Sequence, residues 1–261
     1  MIIRWQCSAW SCGGSKAAEY AWAMLDASQE CMRFLEPDAE FHVSYQNGMH
    51  GTQRSDTTYH EQNAADFKEG PSWGKFYPAR FDINQHEVWM DNDLILWNLP
   101  PAWIRFREHN DMALGNDCNF GYHGTYSNHI RVKLSSGFFG LPPKCTLEVK
   151  SGYVDDAGNP LPSTNHDQEE MGGLSDWICA KFDELHLSLV NMTEEAPCYN
   201  PLSHEGSLFP IVRLDWGRYG VHLSGANRNH FNPLPIIAHI RSHPYGKPMP
   251  PFPLDRAEEC K

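Results

Sequence analysis

Two carboxylates flank an amide at Asp91-Asn92-Asp93, and apolar runs, Val88-Trp89-Met90 and Leu94-Ile95-Leu96, stand on either side. Side chains alternate across an extended chain, so Asp91 and Asp93 fall on one face. Two carboxylates on one face at a strand end form a ligand pair for a hard divalent cation. Such a cation can bridge a diphosphate and take up charge as a leaving group departs. Taken alone, an Asp-x-Asp spacing is a short, unspecific motif and reads first as a polar turn closing a strand. The apolar residues on both sides carry these acids into the fold rather than onto a solvated face. Two other groupings have loosely metal-like spacing: Cys118-x4-His123-x5-His129 and His239-x3-His243. No C-x-x-C pair accompanies them, and with fourteen His in the chain they do not amount to a zinc ligand set.

The elements that must position the acids can be read from periodicity. Ile2 to Trp5 is a first strand, Ser11-Cys12-Gly13-Gly14-Ser15 a turn, and Lys16 to Leu35 a helix. Ala17, Ala21, Met24, Leu25, Ala27, Cys31 and Leu35 give that helix an apolar stripe, with Ser15 as its candidate N-cap and Pro37 ending it. Glu40 to Tyr45 alternates as a second strand. Strand, helix, strand in this order predicts a βαβ unit and a parallel sheet. Residues 46 to 75 read as polar loop with a short helical patch around Ala64 to Phe67. Phe81 to Met90 leads to the triplet, and Pro100-Pro101 closes the segment. Residues 110 to 128 read as loop, Ser135 to Pro143 as a buried strand ended by prolines, Ser151 to Asn165 as loop and Glu169 to Leu187 as a helix. Leu208 to Leu214 and Gly220 to Gly225 are strand-like, Leu234 to Ile240 is apolar again, and the tail from Pro244 is proline-rich and irregular. Ligands of open α/β sheets bind outside the carboxyl edge of the strands, which is where the triplet falls.

The chain has 261 residues, enough for one large domain with a sizeable core. Its formal net charge is −12, which works against the cationic patches that bind nucleic acid and against docking on an anionic membrane. A nucleoside diphosphate can still be held, because a bound divalent cation inverts the local charge. Eight cysteines at irregular spacings, an opening Met1-Ile2-Ile3-Arg4-Trp5-Gln6 without an apolar leader, and the lack of any apolar run of about 18 residues suggest free thiols in a reducing cytoplasm. Nine Trp, ten Tyr and thirteen Phe supply stacking surfaces, though most such rings serve as core.

Four segments, in order, resemble the glycogenin-like (family 8-type) nucleotide-sugar glycosyltransferases with a GT-A fold. They are Asp91-Asn92-Asp93 after an apolar strand, Ser135-Ser136-Gly137-Phe138-Phe139, His166-Asp167-Gln168-Glu169-Glu170 opening a helix, and His222-Leu223-Ser224-Gly225-Ala226-Asn227-Arg228. They are similar, in turn, to the family's metal motif, its Asn-Ser-Gly strand beside the donor sugar, its Asp-Gln pair, and its His-Phe-x-Gly-x-x-Lys segment. The chain departs from the pattern with Ser135 for Asn, Arg228 for Lys, and acidic Glu169 and Glu170, departures that bear on the donor sugar and the stereochemical outcome.

The resemblance implies that Asp91, Asp93 and His222 ligate Mn2+ or Mg2+, with Asp93 also reaching the sugar or ribose. A neutral imidazole suits Mn2+ better. It implies that Asp167 and Gln168 face the transferred sugar as the catalytic pair. Asn92, Ser136, Gly137 and Gly225 belong to the donor-binding segments, and Arg228 binds the diphosphate through a fork that matches phosphate geometry. Arg80, about eleven residues before the triplet, is a candidate donor-binding cation, and Trp10 is a candidate platform for the nucleobase. The expected fold class is therefore α/β: a GT-A-like, Rossmann-type mixed and mostly parallel sheet flanked by helices. A single domain is expected over residues 1–245, with a nucleotide half over about 1–110, an acceptor half over about 111–245, and a Pro-rich tail over 246–261. The expected activity is metal-dependent transfer from a nucleotide sugar, UDP-type, to an acceptor hydroxyl, with retention as the family pattern. The partners are a nucleotide sugar and an acceptor that is a glycan, small molecule, protein or modified DNA, with no membrane. Alternatives from the same residues are a nucleotide-sugar hydrolase or phosphotransferase, a non-catalytic carbohydrate- or nucleotide-binding module, and a phage-type enzyme acting on hydroxymethylated DNA bases, against which the −12 charge weighs.

Overall fold

Strand β1 (Ile2–Cys7) presents Ile3, Trp5 and Cys7 to one side of a sheet and Arg4 and Gln6 to the other. Helix α1 (Gly14–Leu35) follows, then β2 (Glu40–Gln46), which pairs parallel with β1 as the βαβ pattern requires. In this computed structural model residues 1–7, 14–49, 51–63, 71–116, 134–149, 174, 177–178, 181, 186–191, 195–197, 199, 201–202, 216–223, 226 and 230–261 are described.

The apolar residues of α1 cover more than one stripe, and the packing explains why. Ala21, Leu25 and Met32 meet Trp5, Val43 and Met90 of the main sheet, whereas Tyr20, Met24, Ala27 and Cys31 meet a second cluster containing Ile95, Val221, Ile236, Ile240 and Phe252. The helix is thus buried on two sides. It begins at Gly14, so Ser15 lies inside it rather than capping it, and it ends two residues before Pro37, whose ring disfavours helical geometry at Glu36.

Among the described residues the main sheet has seven strands, in the order β3-β2-β1-β4-β7-β6-β8. These are β3 (Thr57–Gln62), β4 (Glu87–Asp91), β6 (Met112–Asn116), β7 (Leu134–Leu141) and β8 (Leu187–Asn191) beside β1 and β2. The β3-β2-β1-β4 half is parallel, β7 runs antiparallel to both β4 and β6, and β8 is parallel to β6. The mixed, mostly parallel α/β sheet expected from the sequence is what the chain forms. Helix α2 (Pro101–His109) packs on β6 and β8, and its Ala102, Trp103 and Phe106 join the apolar cluster that α1 also enters. On the opposite face, Trp89, Met112, Leu114, Phe139 and Leu141 bury Leu174, Trp177 and Ile178. After the triplet the chain leaves this sheet. Strand β5 (Leu94–Leu96) pairs antiparallel with β9 (Gly220–His222), which among the described residues form a second, two-stranded sheet, backed by helix α3 (Leu234–Arg241).

Several expectations change. The stretch 46–75 is not all loop: it holds β3, and a 3-10 helix over Pro71–Phe76. The sequence of β3, Thr-Thr-Tyr-His-Glu-Gln, is polar because an edge strand is partly solvated. Residues 112–116 of the expected loop 110–128 are β6, with β7 and β8 on its two sides. Pro101 opens α2 rather than closing a segment, since proline lacks only an N–H that the first helical turn leaves unused anyway. Leu187 starts β8 instead of ending a helix. The proline-rich tail carries a 3-10 helix over Leu254–Cys260, and its Met249, Phe252 and Cys260 are buried in the cluster around α3. The readings at Ala64–Phe67, Ser151–Asn165 and Leu208–Leu214 lie outside the described residues.

A histidine pair ties the edge strand to its neighbour. His42 Nδ1 of β2 and His60 Nε2 of β3 are 3.1 Å apart, and both rings stack on Phe81, over which the Arg4 guanidinium sits at 4.4 Å. One nitrogen must donate and the other accept, so the contact needs at least one neutral ring. Both imidazoles are held below their ordinary value of 6.5. Burial is the main cause in each. For His42 the neighbouring His60 adds, Glu40 opposes and Arg4 adds; for His60 Arg4 adds. Because the folded values lie below the unfolded ones, the unfolded chain binds more protons in that window. The contribution is therefore complete above 6.5 and is lost as pH falls from there through the folded values. The melting temperature is expected to fall between about pH 7 and about pH 5, and to fall less in His60→Asn. An unchanged pH dependence in that variant would remove the pair as the cause.

Candidate metal centre

Asp91 is the last residue of β4, and Asn92-Asp93 form the turn by which the chain crosses from the main sheet to the small one. That turn is held on three sides. Asn92 Nδ2 donates to the Ala21 carbonyl of α1 at 3.0 Å, the Leu223 backbone N–H donates to the Asp93 carbonyl at 2.8 Å, and Ser28 Oγ donates to the Leu94 carbonyl at 2.7 Å. The antiparallel register pairs Leu94 with His222 and so brings the imidazole beside the preceding residue, Asp93. His222 Nε2 lies 3.0 Å from Asp93 Oδ1, across 129 residues of sequence. One ligand atom each from Asp91, Asp93 and His222 lie within 4.8 Å of one another. Two carboxylate oxygens and an imidazole nitrogen at that spacing fit Mn2+ or Mg2+, and the nitrogen favours Mn2+. To bind a cation through Nε2, His222 must carry its proton on Nδ1.

The electrostatics suit a cation. Burial alone would push the Asp93 carboxyl up. The charge and hydrogen bond of His222, a backbone N–H and the charge of Lys75 outweigh it and hold the carboxyl below its ordinary range. Asp93 is therefore an anion at neutral pH. Cys7, which ends β1 nearby, has its thiol pushed up by burial and then by the charge of Asp93, so it stays protonated and contributes no thiolate.

The structure sorts the sequence candidates. Asp91, Asp93 and His222 come together. Gly137 is buried on β7, one position past the Met90↔Phe138 pair in the direction of Asp91. Asn92 is 3 % exposed and its amide nitrogen is given to α1, so it fixes the turn. Arg80, the candidate donor-binding cation, is engaged within the protein. Its guanidinium bonds to Glu87 and to the carbonyls of Pro142, Cys145, Asp82 and Gln85, which occupies all five of its N–H donors. Trp10, Asp167, Gln168, Gly225, Arg228 and the side chain of Ser136 lie outside the described residues.

Among the described residues, a cation that does reach Asp91 is one that sequence reasoning passed over. Lys75 Nζ is 3.0 Å from Asp91 Oδ1, and the lysine is 7 % exposed. The local signal was a single charge inside the aromatic-rich Trp73-Gly74-Lys75-Phe76-Tyr77. Nothing in that stretch says which way the charge points.

No protein-family profile matches the chain, and no curated protein matches it by sequence. Among solved structures it is similar to the galactosyltransferase LgtC with donor and acceptor sugar analogues, at 12% identity and a TM-score of 0.43, over 86% of this chain and 87% of that one. It is also similar to mouse xyloside xylosyltransferase 1 in its apo form, at 8% identity and 0.44, over 86% and 98%. A third is a glycosyltransferase involved in glycosylation of the major capsid of PBCV-1, at 12% identity and 0.42, over 93% and 99%.

Proposed function

We propose that the chain transfers a sugar from a nucleotide-sugar donor, of UDP type, to an acceptor hydroxyl, with a divalent cation held by Asp91, Asp93 and His222. The observation that carries this reading is the convergence of those three side chains at the carboxyl edge of the sheet, one of them delivered by a separate sheet. A cation in that set would supply charge neutralisation for a departing diphosphate. The chain's own residues do the rest. Asp93 holds and orients the His222 imidazole, and Gly137 leaves the strand beside Asp91 without a side chain. From the sequence resemblance come Asp167 and Gln168 facing the transferred sugar and Arg228 on the diphosphate, with Trp10, Ser136 and Gly225 lining the donor. Much of the rate then derives from holding donor and acceptor in line within a site that opposes developing negative charge.

A thermal-shift series of nucleotide sugars with and without Mn2+ tests this. The correct donor at saturating concentration should raise the melting temperature by about 5–10 °C, and only when Mn2+ is present. Incubation of that donor with and without candidate acceptors then distinguishes transfer from hydrolysis. A chain that no nucleotide sugar stabilises, with or without Mn2+, would rule the proposal out.

A further inference from the structure

We infer that Gln62 and Gln6 are positioning residues for donor binding, acting through Lys75, whose ammonium they hold at Asp91; the inference rests on the glycosyl-transfer reading above. Gln62 ends β3 and Gln6 is the penultimate residue of β1, with β2 between the two strands. Gln62 Nε2 donates to the Gly74 and Tyr77 carbonyls at 3.0 Å each, one before Lys75 in the chain and one after it. Carbonyls only accept, so the amide nitrogen must face them and Gln62 Oε1 is turned towards β1. There it accepts from Gln6 Nε2 at 3.2 Å. The orientation of one amide thus fixes the other, and Gln6 Oε1 is left buried with no hydrogen-bond partner. Protein interiors rarely keep such an acceptor. An arrangement retained in spite of it points to a task beyond stability.

The task is read from what this amide clamp holds. Gln6 pairs in register with Asp91, so both stand on one face at the carboxyl edge of the sheet. Lys75 lies between the two carbonyls that Gln62 binds. Its own carbonyl accepts the Trp89 indole N–H at 2.9 Å, and its Nζ is 3.0 Å from Asp91 Oδ1. The main chain is therefore fixed on both sides of the lysine. A lysine stem free in water loses rotamer freedom when it engages a ligand; one already fixed does not, and the difference appears as affinity. The donor is an anion, and its attraction to an ammonium falls with distance. Releasing the clamp lets the ammonium leave Asp91 and lowers donor affinity, although neither glutamine needs to meet the donor. Gly74 belongs to the same device, because a Cβ there would fall on Gln62 Oε1 and Gln6 Nε2.

The test is a double-mutant cycle on UDP affinity, measured by calorimetry on the full chain at saturating Mn2+. Gln62→Leu and Lys75→Met should each weaken UDP binding by about tenfold, and the double variant should bind no more weakly than Lys75→Met alone, because the glutamine acts through the lysine. A role limited to packing predicts losses that add. Gly74→Ala displaces the clamp with both amides present; it should repeat the effect of Gln62→Leu and replaces it if the leucine variant does not fold. A readout free of metal and donor accompanies the cycle: acetylation of each lysine by acetic anhydride, followed by mass spectrometry. Lys75 should label about tenfold faster in Gln62→Leu and Gly74→Ala than in the wild type, with the other lysines unchanged, whereas general loosening of the fold would speed them together. Clamp variants that bind UDP as tightly as the wild type, losses that add in the double variant, or a Lys75 that labels no faster each overturn the inference. Wild-type protein that binds no UDP in the presence of Mn2+ is a different failure, because it removes the proposed function and the inference with it.

Discussion

Asp93→Ala and His222→Ala are each expected to lower metal-dependent sugar transfer by more than about a hundredfold while the chain stays folded. Asp93 and His222 are two of the three candidate ligands, and each orients the other through the 3.0 Å contact between Oδ1 and Nε2. The fold survives because the turn is held by its backbone and by its neighbours. The Asp93 carbonyl keeps the Leu223 N–H, Asn92 keeps the Ala21 carbonyl, and β5 keeps its pairing with β9. Initial rates with saturating Mn2+ and donor, read beside circular dichroism and the melting temperature, check this. Full transfer activity in either folded variant would sink the site assignment. Asp93→Asn makes the loss specific to charge: it preserves size and one acceptor oxygen, and should still lose most of the activity.

Glu87→Ala should produce the largest loss of stability from one substitution, about 3–5 kcal/mol. Glu87 is 0% exposed at the start of β4. Its Oε1 accepts from Arg4 Nη1 at 2.9 Å, its Oε2 from Arg80 Nε at 3.0 Å, and the Phe81 backbone N–H points at both oxygens. Burial pushes the Arg4 guanidinium down to about 10, and Glu87 is what chiefly opposes that fall. Removing the carboxylate leaves two buried guanidinium groups with no counter-charge, a cost far greater than that of a lost surface pair. The melting temperature should drop by about 6–20 °C, and the urea midpoint should fall with an unchanged slope. Replacing Arg4, Arg80 and Glu87 together by apolar residues should recover part of the loss, because no unpaired charge remains buried. A destabilisation by Glu87→Ala of less than about 1 kcal/mol would show that the cluster is better solvated than its burial implies.

The local elements of the first half were legible because each declares itself within a few residues. The alternation in Phe41, Val43 and Tyr45 marks β2, and the apolar spacing from Ala17 to Leu35 marks α1, whichever way the rest of the chain turns. Strands β3 and β6 were not legible, each for its own physical reason. An edge strand need not be apolar, and Met112-Ala113-Leu114 is too short to stand out ahead of Gly115-Asn116-Asp117. The acids of the centre could be found from sequence, since two carboxylates between two apolar runs are costly to bury without a purpose.

What the sequence determined by itself is the Asp91-Asn92-Asp93 triplet between two apolar runs and the βαβ unit that precedes it. Both follow from residues close together in the chain. His222 is one of fourteen His, and only its resemblance to a motif marked it; it joins Asp93 through the β5–β9 pairing, a contact across 129 residues. The choice between two upstream cations was decided by tertiary structure alone. Arg80 and Lys75 precede the acids by similar distances, but Arg80 meets the buried Glu87 and four backbone carbonyls, while Lys75, next to a Gly74 packed against Gln6 and Gln62, reaches Asp91. Direction in space depends on what packs beneath a residue, and for these two side chains that is Glu87 on one strand and Gln6 and Gln62 on two others.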